Sequence, residues 1–138
     1  MEYMCNNENR CIAEILTVIN ILQEQASEVN ETNLETCDRG FLGCGVTPQN
    51  CNTRPVMLFM NNNSAWAMPI EKESNDCARS EVFRVEKIDG CCATFRVLAL
   101  NPNRECDVPF VATNSFFTMN LNCVCALKCL PDTFVECI

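Results

Sequence analysis

The sequence predicts a mainly β protein: an antiparallel β-sandwich or barrel-like domain preceded by one amphipathic α-helix. From Arg54 onward, short runs of β-branched and aromatic residues alternate with turn-forming clusters. Nothing between those runs is long enough to be the crossover helix that a parallel sheet needs. The one segment with helical periodicity lies near the start. With 138 residues, 48% of them apolar, the chain can bury one core. It divides into an acidic arm and helix over 1–36 and a cysteine-rich β domain over 37–138.

The helix is expected from residue 9 to about 29, with Asn9 as its N-cap. Ile12, Ile15, Ile19, Leu22, Ala26 and Val29 recur at steps of three and four. The same positions fit a short heptad seam, so the helix could lie on its own domain or bundle with its copies. Leu16, Val18 and Ile21 widen the stripe beyond a simple seam. A loop-rich stretch follows over 37–53, with Gly40, Gly43, Gly45 and Pro48. Its cysteines, Cys37, Cys44 and Cys51, fall seven apart.

Strands are expected at Val56–Met60, Ala65–Met68, Val82–Ile88, Cys92–Leu100, Val108–Ala112, Phe116–Leu121 and Cys123–Leu127, with a short one at Phe134–Cys137. Asn61–Ser64, Glu71–Asp76, Asp89-Gly90 and Asn101–Asn103 separate them. For the hairpin around Asp89-Gly90, apolar pairing decides the register, because a one-residue slip exchanges the faces. A three-residue loop, Ile88–Gly90, would set Phe83 against Phe95 and Val85 against Ala93.

Charge and composition exclude whole classes of function. Net charge is −8 with ten Lys plus Arg, a poor match to a nucleic-acid backbone. Residues 1–36 hold seven Glu against one Arg, an imbalance that reads as a solvated face or as an arm for a basic neighbour. No apolar run approaches the length of a membrane span. The absence of histidine removes Ser-His and Cys-His nucleophiles, and four glycines form no phosphate-binding loop. Trp66, between Ala65 and Met68, reads as core. No enzyme and no cofactor is expected.

Thirteen cysteines are the strongest signal. Cysteine-dense chains belong to oxidising compartments, yet the start, Met1-Glu2-Tyr3-Met4-Cys5, has no secretory pattern. The chain therefore reads as made in a cytosol but suited to oxidation. An odd count leaves at least one sulfur per chain without an intrachain partner. Cys123-x-Cys125-x3-Cys129 with the adjacent Cys91-Cys92 is a poor zinc pattern, so thiolate metal binding stands as the alternative function and no metal ligand is assigned. No Cys-x-x-Cys redox motif is present.

Several segments together resemble the CotY/CotZ/ExsY family of spore coat and exosporium proteins. They are Asn52-Thr53-Arg54-Pro55, Phe83-Arg84-Val85-Glu86, Cys91-Cys92-Ala93-Thr94 and the run Leu121-Asn122-Cys123-Val124-Cys125-Ala126-Leu127-Lys128-Cys129-Leu130. The match covers roughly residues 37–131 and lacks the family's His-rich tails. The resemblance implies a structural protein made in the mother-cell cytoplasm and deposited on the spore surface, in the coat crust or the exosporium. It also implies that the protein assembles with itself, in a hexagonal lattice, and with other coat proteins. Disulfides would then cross-link the shell.

On that reading, cysteines near the chain ends should bond between subunits, since terminal segments reach a neighbour with little strain. These are Cys5, Cys11 and Cys137. The rest are expected within the subunit or its core: Cys37, Cys44, Cys51, Cys77, Cys91, Cys92, Cys106, Cys123, Cys125 and Cys129. Of the adjacent pair Cys91 and Cys92, one should face the core and the other a surface.

Overall fold

The computed structural model of the protein describes residues 10–28, 51–70, 78–102 and 108–135. Expected features at Asn9, Val29, Glu71–Asp76 and Cys137 lie outside them, as does most of the loop over 37–53. The architecture is mainly β with antiparallel sheets and one N-terminal helix, as the sequence indicates.

The helix α1 (Arg10–Glu28) packs over the central strand β4 (Val82–Asp89). It buries Ile12, Leu16, Ile19 and Gln23, positions four, three and four apart, together with Ala13. The seam expected through Ile15 is therefore rotated by one position. Leu16 is fully buried, whereas Ile15 is 47% exposed and Val18 55%. Apolar residues cover most of this helix, so periodicity could not choose its inner face. The polar Gln23 chooses it, through hydrogen bonds described below. Ile15→Ser should accordingly change stability by only about 0.5 kcal/mol or less. A urea midpoint shifted as far as for a core truncation would refute this orientation.

Strands β1 (Val56–Phe59), β4, β5 (Cys92–Leu100), β6 (Phe110–Asn120) and β7 (Ala126–Cys129) form one sheet in the order β6-β5-β4-β1-β7. A small second sheet pairs β2 (Met68–Pro69) with β3 (Arg79–Ser80). Among the described residues the five-stranded order is linear and does not close into a barrel. Even so, its opposite edges are joined only by Leu121 to Cys125. Laid flat, those edges would stand about 19 Å apart across the strands and roughly 25 Å apart along them. Six residue steps reach only about 20 Å. The sheet must coil so that its diagonal corners meet, and Leu121 and Val124 bury their side chains at that corner.

The hairpin register differs from expectation. Its turn is the two-residue Gly90-Cys91, with Asp89 opposite Cys92 and Gly90 at φ 61°. Glycine tolerates that left-handed value as the first central residue of a tight hairpin turn. A bulge between Val85 and Lys87 then shifts the register, so Val85 faces Phe95 and Phe83 faces Val97. The extra residue is Glu86. The spacing of Phe83, Val85 and Ile88, two then three, is the trace the bulge leaves in the sequence.

Two further expectations change for similar reasons. The separate strands at Val108–Ala112 and Phe116–Leu121 are one strand, β6, bulged between its pairs Leu98 with Ala112 and Arg96 with Phe116. Thr113 stitches that bulge, its Oγ1 donating to Val97 O at 2.7 Å and accepting from Ser115 N at 3.1 Å. The strand expected over Cys123–Leu127 is instead a 3-10 turn at Leu121–Cys123, capped by the Asn120 side chain, followed by β7. The Ala65–Met68 strand reduces to a bridge from Ala65 to Phe59 and the start of β2. Trp66 packs partly buried against the core.

At the centre, Phe83 and Phe95 are fully buried. Their rings meet Phe117 at 4.8 Å edge-on and 5.4 Å stacked. Leu16 and Ile19 of the helix complete the same cluster with Val56, Leu58, Val85 and Val97.

Candidate functional site

Two groups of side chains stand out, a buried polar clasp and a set of thiols. The clasp begins at Asn52-Thr53-Arg54, just before β1. Asn52 holds the backbone of Val135 from both sides, its Nδ2 donating to Val135 O at 2.8 Å and its Oδ1 accepting from Val135 N at 2.9 Å. Thr53 exchanges backbone hydrogen bonds with Thr133. Arg54 grips Asp132 with both prongs, at 2.7 and 3.0 Å, the bidentate geometry in which arginine binds carboxylates most strongly.

Gln23 ties this segment to the helix and the sheet. Its amide accepts from Arg54 N at 3.0 Å and donates to Val85 O at 2.7 Å. Arg84 is nearly buried. It donates to Thr53 Oγ1 at 2.9 Å, to Asn52 O at 3.2 Å and to Glu86 at 2.8 Å. Burial pushes its pKa below arginine's usual value, and Glu86 opposes that push. Arg84 stands directly opposite Arg96 across the strands, a like-charge pairing that costs stability by itself. The bulged Glu86 resolves it by accepting from both guanidiniums, at 2.8 and 3.2 Å. Arg96 also lies over the Phe116 ring at 4.4 Å.

The clasp is a structural device. Its side chains bond to one another and to the backbone of β4 and of the segment over 133–135. Sequence reading missed Gln23, Thr53 and Arg84 as buried polar groups. Only the Phe-Arg-Val-Glu alternation hinted that an arginine would sit on a covered face.

The thiols are placed very differently from one another. Cys5, Cys37, Cys44, Cys77, Cys106 and Cys137 lie outside the described residues. Cys51 and Cys91 are buried and disulfide-bonded, and the other five described cysteines carry free thiols. Cys92 is half-buried at the start of β5. Cys11, Cys123, Cys125 and Cys129 are exposed. Cys11 stands in the first turn of α1. The other three follow one another along the 3-10 turn and β7, although the sequence suggested sites within the subunit for them. The 3-10 turn explains the placement of Cys123: Leu121 and Val124 are buried and the sulfur between them is left outside. Partial burial pushes the Cys129 thiol up, Arg54 pulls it down, and Asp132 adds to the rise, so the net shift is upward. Among the described residues, no group of three potential ligands is placed to hold a metal ion. No helix there is long and apolar enough to cross a membrane.

A family model described as Spore coat protein Z matches residues 3–132. The chain belongs to this family. Spore coat protein Z of Bacillus subtilis (strain 168) is 25% identical to it over 148 residues, covering 96% of this chain and 97% of the relative. No solved structure matches. The segments that resemble the spore-coat family meet one another in the fold. Arg84 binds Asn52 and Thr53, and Leu121 N donates to Cys91 O at 2.8 Å. Strand β7 pairs with β1 directly after Pro55. In this member of the spore coat protein Z family, those four segments form one connected framework around the core.

Proposed function

We propose that the chain is a structural subunit of the spore's outer layers, coat crust or exosporium, which assembles with copies of itself into a two-dimensional lattice cross-linked by disulfides. Membership of a spore-coat family supports a structural role at the spore surface. One observation of the fold supports the rest. Among the described residues Cys91 alone of the cysteines enters the core cluster, while four free thiols stand exposed outside it. Sulfurs in that position contribute little to packing but are available to neighbours. Other coat proteins would be reached through the same surface chemistry.

The test is sedimentation of the purified chain at micromolar concentration, with and without reductant, together with electron microscopy of the pellet. Ordered sheets under both conditions, and a covalent ladder on non-reducing gels only after oxidation, are the expected results. A monomer under both conditions would overturn the reading.

A further inference from the structure

We propose that the β7 edge is the surface at which a second copy of this chain is joined by disulfides, with Cys125 of one subunit bonded to Cys129 of the other. The inference rests on the self-assembly reading above and assigns its chemistry to one edge.

The backbone supplies the first argument. β7 is the last strand of the five-stranded order, so one side of it has no strand partner among the described residues. Leu130 N donates to Pro55 O at 2.8 Å. By strand alternation, Lys128 and Ala126 also turn their backbone groups toward β1, and Leu127 and Cys129 turn theirs outward. An open edge of this kind templates another strand. The opposite edge strand, β6, carries no cysteine.

The sulfurs supply the second argument. Cys125 and Cys129 are free, exposed and four residues apart on extended chain. That places their α-carbons about 13 Å apart, beyond the roughly 7 Å limit for a disulfide. They cannot satisfy each other within one subunit.

Across a two-fold axis at Leu127 they can. Antiparallel pairing of β7 with its copy brings Cys125, the residue just before the strand, opposite the copy's Cys129, twice over, in the self-complementary manner of a two-fold interface, while the Cys125 N keeps its bond to Phe59 O of its own subunit at 2.8 Å. Opposite residues in such a pair stand about 4.5–5.5 Å apart between α-carbons, inside the disulfide window. The same register places Lys128 against Ala126, so no like charges meet. Cys123, exposed just before the edge, stands beside this junction.

Each bridge removes two protons and two electrons from a pair of thiols, and a low-molecular-weight disulfide can accept them. One cysteine thiolate attacks the small disulfide and releases one small thiol. The partner's thiolate then attacks the mixed disulfide and releases the second.

The experiment uses the full chain, reduced and then oxidised with glutathione disulfide. A triple variant, Cys123→Ser with Cys125→Ser and Cys129→Ser, is compared with Cys5→Ser, Cys11→Ser and Cys137→Ser combined. The edge variant should lose most of the covalent dimer and ladder while sedimenting like wild type under reducing conditions. The chain-end variant should keep its ladder. An equal mixture of isotopically light and heavy chains should give hybrid-mass Cys125–Cys129 peptides, a readout that needs no substitution. An edge variant with an intact ladder, or linked peptides of uniform isotope only, overturns the proposal while leaving self-assembly standing. If wild type neither sediments nor cross-links, both readings fall.

Discussion

Phe83→Ala is expected to destabilise the protein by about 3–5 kcal/mol, the cost of emptying a buried aromatic site. Phe83 is fully buried and touches both Phe95 and Phe117 through its ring. Its loss removes apolar area and two aromatic contacts together. Domains of this size are stable by only about 5–15 kcal/mol, so the urea midpoint should fall steeply, with little change in slope. A shift smaller than that produced by Ile15→Ser would mean that this trio is not the centre of the core.

Gln23→Leu should be the most damaging change on the helix, although it exchanges a polar residue for an apolar one of similar size. The substitution strands Val85 O and Arg54 N, both of which now bond to the Gln23 amide. A buried group left unpaired costs about 1–3 kcal/mol, and here there are two. Thermal melts followed by far-ultraviolet circular dichroism would read the loss. Gln23→Glu separates the contributions, because it keeps an acceptor for Arg54 N while losing the donor to Val85 O. Stability equal to wild type in Gln23→Leu would show that the amide does not orient the helix.

The sequence made some of this architecture plain and hid the rest for identifiable reasons. Alternation located β1, β4 and β5 because each has one face against the core, as in Val56 and Leu58 or Phe83 and Val85. It failed where a bulge adds a residue, at Glu86 and at Thr113–Ser115, since a period-two rule cannot see an unpaired position. It also failed at Cys123, where Leu121 and Val124 are three apart and mark a turn rather than a strand. The inner face of α1 depended on Gln23, whose partners lie 31 and 62 residues away. No local pattern carries such a contact. The sequence suggested sites within the subunit or its core for Cys123, Cys125 and Cys129, and their exposure followed only from the 3-10 turn and from the position of β7 in the strand order.

The strand order also dictates when the sheet can be completed during synthesis. Strands β4, β5 and β6 form a meander whose members are neighbours in sequence, so their pairing needs only short loops to close. Strand β1 emerges earlier, yet both its partners come later: Phe83 can pair with Val56 first, and Cys129 only once a further 46 residues have been added. Contacts between sequence-distant residues slow folding. A nascent chain that has reached Asn120 therefore carries β1 as a temporary edge, with one side unpaired until β7 arrives. During that interval the exposed backbone of β1 is waiting for β7, the strand of the same chain that later covers it.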